Sequence, residues 1–350
     1  MRRKLSRNYR YFVYFLELLI ALSALLLFYN FFIPIGEEGK NVYFSDRNRT
    51  AVLDTLRRYG YNITDLDTLL LSDKYLPKKG WYTITHTKSG RYAFFHHLAD
   101  HRAKTMWVKV FAGETTEEML SRLAYDTKRD LPKLKQYYSQ KKHLLEGDIF
   151  AGKYLIARDA DAQAVIDYLF LHSQRKLESF KRQFYCYGLD DEMLKSLVTI
   201  ASIIQKETND VEEMPMIASV IYNRLHKKMK LQMDSTLNYG SYSHCIVTPE
   251  RIRCDTSLYN TYKYKGLPPA PLGTVSMEAL RAAMFPAKSD YLFFMLTPTG
   301  KHTFSKTYQE HLAALKSFRE HQKEKKRVGK RESKEQNLSS DKVSLPKKAS

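Results

Sequence analysis

Leu197-Val-Thr-Ile-Ala-Ser-Ile-Ile-Gln-Lys-Glu-Thr208 is an apolar helical run that ends on a carboxylate. At about 100° per residue, Leu197, Ile200, Ile204 and Glu207 fall within roughly 40° of one line, so the spacing predicts a helix with Glu207 on its buried stripe. An anion is costly there, and such a group tends to hold its proton near neutral pH, which a general acid requires. The plain alternative is a Glu in a last helical turn that tilts into solvent. Working outward, Thr208-Asn-Asp210 breaks the helix and Pro215 suits the first turn of the next. Met216, Ile217, Val220, Ile221 and Leu225 form that helix's buried stripe. Arg224 projects onto the same stripe, where it needs a carboxylate or a cluster of carbonyls.

Further along lies Leu231-Gln-Met-Asp-Ser-Thr-Leu-Asn-Tyr-Gly240, dense in hydrogen-bonding groups and carrying one acid, Asp234. Ser257-Leu-Tyr-Asn-Thr-Tyr262 and Gly266-Leu-Pro-Pro-Ala-Pro-Leu272 come next. Tyr259 and Tyr262 offer flat faces for sugar rings, while Gln232, Asn260 and Thr261 offer partners for hydroxyls and N-acetyl groups. The Pro-rich run fits neither a helix nor a central strand and reads as a stiff wall. His302-Thr-Phe-Ser305 closes the segment.

Seven pieces occur in order over about 100 residues: Ala201-Ser-Ile-Ile-Gln-Lys-Glu-Thr208, Ala218-Ser-Val-Ile-Tyr-Asn-Arg-Leu225, Leu231-Gln-Met-Asp234, Tyr259-Asn-Thr-Tyr262, Gly266-Leu-Pro-Pro269, Pro286-Ala-Lys288 and His302-Thr-Phe304. Together they resemble the MltG (YceG-like) endolytic murein transglycosylases. The resemblance implies cleavage of the MurNAc–GlcNAc β-1,4 linkage inside a glycan strand, without water as nucleophile. It implies that Glu207 is catalytic, first as acid and then as the base that lets the C6 hydroxyl close a 1,6-anhydro ring. One carboxyl in two roles contrasts with the paired carboxylates of ordinary glycosidases. Substrate binding is expected at Asn223, Arg224, Gln232, Asp234, Thr236, Tyr259, Asn260, Thr261 and Tyr262. Asp234 is expected to hold Arg224 or a substrate hydroxyl, or to serve a turn. No cofactor is expected. Two departures stand out. Ser235 takes the place of the family's usual Pro, and Glu146-Gly-Asp-Ile-Phe-Ala-Gly-Lys-Tyr154 lacks the family's Pro and second acid. The cysteine-bearing stretch Ser241–Arg253 is a further difference, and these changes point to a distinct peptide or glycan preference.

The chain opens with Arg2, Arg3, Lys4, Arg7 and Arg10 and no acid in ten residues, then runs almost wholly apolar from Tyr11 to Ile35. About 25 such residues span a bilayer with some tilt. The basic flank keeps the N-terminus cytoplasmic and exports the rest. A cleaved signal peptide is the rival, disfavoured by the length of the run and by the lack of a small-residue cleavage site. Formal net charge is +19, about half of it in the ten-residue head and the tail from Glu320. Such a balance suits an anionic envelope of headgroups, wall polymers or carboxylate-bearing peptides. Nucleic acid is not expected, since no zinc-finger spacing or aromatic RNA-binding signature is present. Of Cys186, Cys245 and Cys254, the last two are the expected disulfide pair in an oxidising compartment, with three unpaired thiols as the alternative. No His/Cys spacing suits a metal.

The expected architecture is therefore α+β: a basic head over residues 1–10, a transmembrane anchor over 11–35, a LysM-like α+β region over 40–187, a YceG-like catalytic domain over 189–318 and a disordered basic tail over 320–350. In the LysM-like region, strand-then-helix units begin at Val42, Met106 and Tyr154, and Thr115-Thr-Glu-Glu118 reads as a capping box. The leading function is a membrane-anchored lytic transglycosylase acting on peptidoglycan glycan strands beside the wall synthases. The alternatives are a muramidase that uses Asp234 as second carboxylate and a non-catalytic wall-binding scaffold.

Overall fold

A computed structural model describes residues 7–184 and 188–320; the first six residues, Cys186 and the tail beyond Glu320 lie outside it. The mixed α+β chain divides into two compact units. The first holds the residues up to Phe111, Glu117–His143, and Gly152 to the end of a long helix; the second takes Ala112–Thr116, Leu144–Ala151 and the chain beyond residue 187.

The first unit begins with α1 (Arg7–Phe32), an apolar helix long enough to cross a membrane. After it come β1 (Asn41–Phe44), α2 (Arg49–Arg58), α3 (Asp67–Leu70), β2 (Gly80–Thr83) and α4 (Arg91–His96). β1 and β2 pair antiparallel, Val42 opposite Tyr82, and bury Val42, Phe44 and Tyr82 against Val52, Leu53 and Leu56 of α2. Asn48 starts α2 by accepting the Thr50 N–H, the usual role of an Asn at a helix start. The same strand–helix–helix–strand order then repeats as β3 (Thr105–Val110), α5 (Thr116–Thr127), α6 (Leu131–Lys141) and β4 (Gly152–Ala157), with β3 antiparallel to β4. α7 (Ala162–Gln183), capped by Asp161, closes the unit. The strand starts expected at Val42, Met106 and Tyr154 fall inside β1, β3 and β4, and the helices expected after them are α2, α5 and α7.

The second unit is built on α8 (Asp191–Glu207), α9 (Met214–His226), α10 (Pro249–Cys254), α11 (Met277–Met284) and the antiparallel pair β5 (Phe293–Leu296) and β6 (His302–Ser305), with a helical segment over 308–320 after them. α8 is capped by Asp190, which accepts the Met193 N–H at 2.7 Å, and Asp191 and Glu192 complement the positive end of its dipole. From Leu197 to Gln205 every residue of α8 is buried. The apolar stripe is therefore only part of the contact, because α9, α11 and earlier segments of the chain cover the other faces.

Those earlier segments are recruited by backbone hydrogen bonds. Gly113 N–H donates to Thr274 O (2.8 Å), Thr274 N–H to Glu114 O (2.7 Å) and Ala151 N–H to Val275 O (2.8 Å). Two glycines permit the approach. A Cβ on Gly273 would lie 2.5 Å from Glu114 O, and one on Gly147 (φ +87°) would lie 2.8 Å from Val198 Cγ1 on α8. The Glu146-Gly147 pair thus serves packing: Glu146 Oε2 accepts both the N–H and the hydroxyl of Thr116 at 2.6 Å.

Candidate active site

Glu207 is the last residue of α8, and the chain leaves the helix at Thr208 in an extended conformation. Its Oε1 is buried and lacks a hydrogen-bond partner, as does the buried Oγ of Ser235 beside it. A solvent-tilted Glu would show neither property. Burial pushes the Glu207 carboxyl above its usual value, and the charge of Asp234 adds to the rise; the nearby Ser235 and His302 pull it back without cancelling it. The negative end of the α8 dipole also disfavours an anion at this position. The carboxyl faces a pocket of about 450 Å³ whose lining includes Arg224, Gln232, Asp234, Tyr262, Phe293 and His302.

The pocket's second carboxylate has a partner. Tyr262 Oη donates to Asp234 Oδ1 at 2.6 Å, and burial together with this bond raises the phenol's pKa. Gln232 is exposed at the pocket with φ +51°, a conformation that costs an L-residue about 1–2 kcal/mol and recurs at functional positions. Its backbone N–H donates to Thr261 O at 3.2 Å, which fixes the turn.

Other expected site residues support the walls. Arg224, 7% exposed, gives its Nε to Leu292 O (2.6 Å) and a terminal nitrogen to Leu231 O, and its guanidinium lies 5.1 Å from the Phe293 ring centroid. The carbonyl alternative is the one realised, and Asp234 is not its partner. Asn223 donates to Ser289 O (2.8 Å) and Tyr291 O (3.0 Å), which ties α9 to the stretch leading into β5. Thr236 and Thr261, both buried, share a 2.9 Å hydroxyl contact, and Thr261 Oγ1 accepts the Met233 N–H. Asn260, fully buried, donates to Ile252 O and Asp255 O at 2.8 Å. Tyr259 stacks on Tyr239 with centroids 3.8 Å apart.

The expected Cys245–Cys254 bridge is absent, and both are exposed free thiols. Thr248 caps the short helix α10 that ends at Cys254, while Cys245 N–H bonds back to Tyr242 O.

Spacing and residue type alone leave His302 and Glu213 out of the site. His302 Nδ1 pairs with Glu213 Oε2 at 2.7 Å, and its backbone N–H donates to Glu213 Oε1, also at 2.7 Å. Desolvation pushes Glu213 up, but the bonds and charge of His302 outweigh it and hold this carboxylate below its usual value. His302 stands at the pocket with Glu207, so the pair places an oriented imidazole on the acid's surroundings. The signal for it is the His302-Thr-Phe304 motif itself.

The YceG-like family profile matches residues 46–317. The chain belongs to the YceG-like family. Among YceG-like relatives, an endolytic murein transglycosylase of Bacillus subtilis (strain 168) is 35% identical over 179 residues, 51% of this chain and 49% of that protein. One of Streptococcus pneumoniae serotype 2 is 30% identical over 176 residues, 49% of this chain and 31% of that protein. The matched part thus spans half or less of each relative's length. A crystal structure of a YceG-like protein from Listeria monocytogenes is 25% identical with a TM-score of 0.52, covering 80% of this chain and 100% of that one.

Proposed function

We propose that this YceG-like protein is a membrane-anchored endolytic lytic transglycosylase of peptidoglycan, with Glu207 as its catalytic residue. The observation that carries the reading is the unpaired, buried Oε1 of Glu207 at the pocket, a carboxyl whose surroundings favour the protonated form. A protonated Glu207 donates to the glycosidic oxygen as the MurNAc–GlcNAc β-1,4 bond breaks. The carboxylate then accepts the proton of the C6 hydroxyl of the same MurNAc, which attacks C1 and closes the 1,6-anhydro ring. Each cycle returns Glu207 to its starting state and consumes no water. The relatives' names support the reaction class and the peptidoglycan substrate.

The muramidase alternative gains from Asp234 sharing the pocket with Glu207. The Tyr262 bond favours a different role: Asp234 orients a phenol that faces substrate, with Gln232 supplying a further polar contact. α1 is long and apolar enough to hold the protein in the cytoplasmic membrane, N-terminus inside, where the catalytic unit reaches nascent strands beside the wall synthases. The LysM-like reading of residues 40–187, as a glycan-holding region, is supported by the strand–helix–helix–strand order that occurs twice there.

Cleavage of purified glycan strands in ¹⁸O-labelled water separates the two chemistries. A transglycosylase leaves 1,6-anhydro ends, one water lighter than reducing ends and free of label. New reducing ends at the cut sites in place of 1,6-anhydro ends would establish hydrolysis and promote Asp234.

A further inference from the structure

We infer that the face of the first unit around α3 and α4 rests in the headgroup layer of the bilayer that α1 crosses. The inference rests on the anchor reading of α1. At 1.5 Å per residue its 26 residues extend about 39 Å, against a hydrocarbon layer of about 30 Å, so the last turn reaches the interface.

That turn is keyed to the folded module. Tyr29 Oη donates to Asp67 Oδ1 at 2.9 Å and also contacts the Thr64 hydroxyl. Asp67 is fully buried and pairs with the equally buried Arg91 at 2.6 Å, whose guanidinium lies 4.6 Å from the Tyr29 ring centroid. Asn30 Oδ1 accepts the Tyr92 N–H at 2.9 Å. Gly90 (φ +94°) makes room for this: a Cβ there would lie 2.8 Å from Asn30 Nδ2 and 3.3 Å from the Phe31 ring. Ile35, three residues past the helix, is already in the module's core. The membrane helix and the module therefore meet through a fixed junction rather than a tether.

Three large apolar side chains flank the buried members of this junction and are exposed: Leu66 (56%) beside Asp67, Leu69 (84%) on the same short helix, and Tyr92 (60%) beside Arg91. Single exposed leucines are ordinary on a soluble surface. These are continuous with the exit end of a lipid-facing helix, at the depth where aromatic and aliphatic side chains settle among headgroups. The local charge agrees. Asp65 and Asp73 are each neutralised by an arginine at 2.7 Å, Arg57 and Arg49, while Lys88 is exposed two residues before Gly90. Seating this face in lipid fixes the orientation of the first module at the membrane surface.

The test places the photo-crosslinking residue p-benzoylphenylalanine at 69, at 92 or at Tyr125 of the full chain, reconstituted in phosphatidylcholine/phosphatidylglycerol vesicles. Tyr125, 86% exposed on α5, is the control. All three positions are exposed, so the probe leaves the core intact. Co-flotation of chain and vesicles reads the anchor; lipid adducts detected by mass spectrometry read the face. Lipid adducts at 69 and 92 at least about tenfold above those at 125 are expected. Co-flotation with equal adducts at all three positions, or adducts joining two chains, would overturn the inference while leaving the anchor reading intact. Failure to co-float overturns the anchor and this inference with it.

Discussion

Glu207, the proposed catalytic residue, should also leave a mark on stability. Its folded pKa lies above the ordinary value of 4.5, so the folded state holds the proton more tightly than the unfolded chain. The stabilising contribution is complete below about pH 4.5 and is lost as pH rises through the folded pKa. Glu207→Gln removes this dependence. In melting curves taken from pH 4 to 9, the gap in Tm between the variant and the wild type should shift in the variant's favour as pH rises, then level off. His302 acts on the same carboxyl from outside, since its charge favours the Glu207 anion. His302→Asn is therefore expected to move the alkaline limb of the cleavage pH profile upward. It should also cost about 1–3 kcal/mol in chemical denaturation by taking the imidazole from Glu213 Oε2, while the backbone N–H bond to Oε1 remains. Gln232→Gly relieves the left-handed strain but adds backbone freedom, so stability should change by less than about 1 kcal/mol while cleavage falls. At this scale the sequence was partly legible. Helical spacing placed Glu207, because a carboxylate on an apolar stripe is a local pattern. The roles of Asn223, Thr236, Asn260 and Thr261 were not, because residue type shows that a side chain can hydrogen-bond, while only the fold shows whether carbonyls or substrate receive it.

Among the elements, α8 decides whether Glu207 is presented correctly. Its buried stripe and its stop at Thr208 were readable from spacing and residue type, whereas its cap at Asp190 and the burial of every residue from Leu197 to Gln205 emerged with the fold. What covers its other faces was not, because the Leu144–Ala151 segment comes from far upstream and only the fold brings it there. Gly147 is the test of that contact. Gly147→Ala meets Val198 of α8 at 2.8 Å and adopts a φ of +87°, so it should destabilise the protein by about 1–3 kcal/mol. Because the strain falls on the helix that carries Glu207, cleavage should fall more than it does for Gly113→Ala. That control shares a positive φ of +85°, but its Cβ would meet nothing within 4 Å. Denaturation midpoints and turnover on the same preparations check both.

For the whole molecule, α1 is part of the first unit as well as the proposed membrane anchor. Composition announced its length; the burial of Ile35 and the Tyr29–Asp67–Arg91 network were invisible, since both depend on partners distant in the chain. A chain starting at Lys40 loses Ile35 from the core, whereas one starting at Ile33 keeps it. The first should melt with a destabilised unit, by about 2–4 kcal/mol relative to the second, and both should still cut soluble glycan. The central claim is that one buried carboxyl performs the cleavage. Its most direct test is the mass spectrum of products from glycan strands incubated with the full chain and with its Glu207→Gln variant, both confirmed folded. Internal cuts ending in 1,6-anhydro-MurNAc with the wild type, and a loss of at least about 100-fold with the variant, are expected. Cleavage by Glu207→Gln at the wild-type rate would contradict the account.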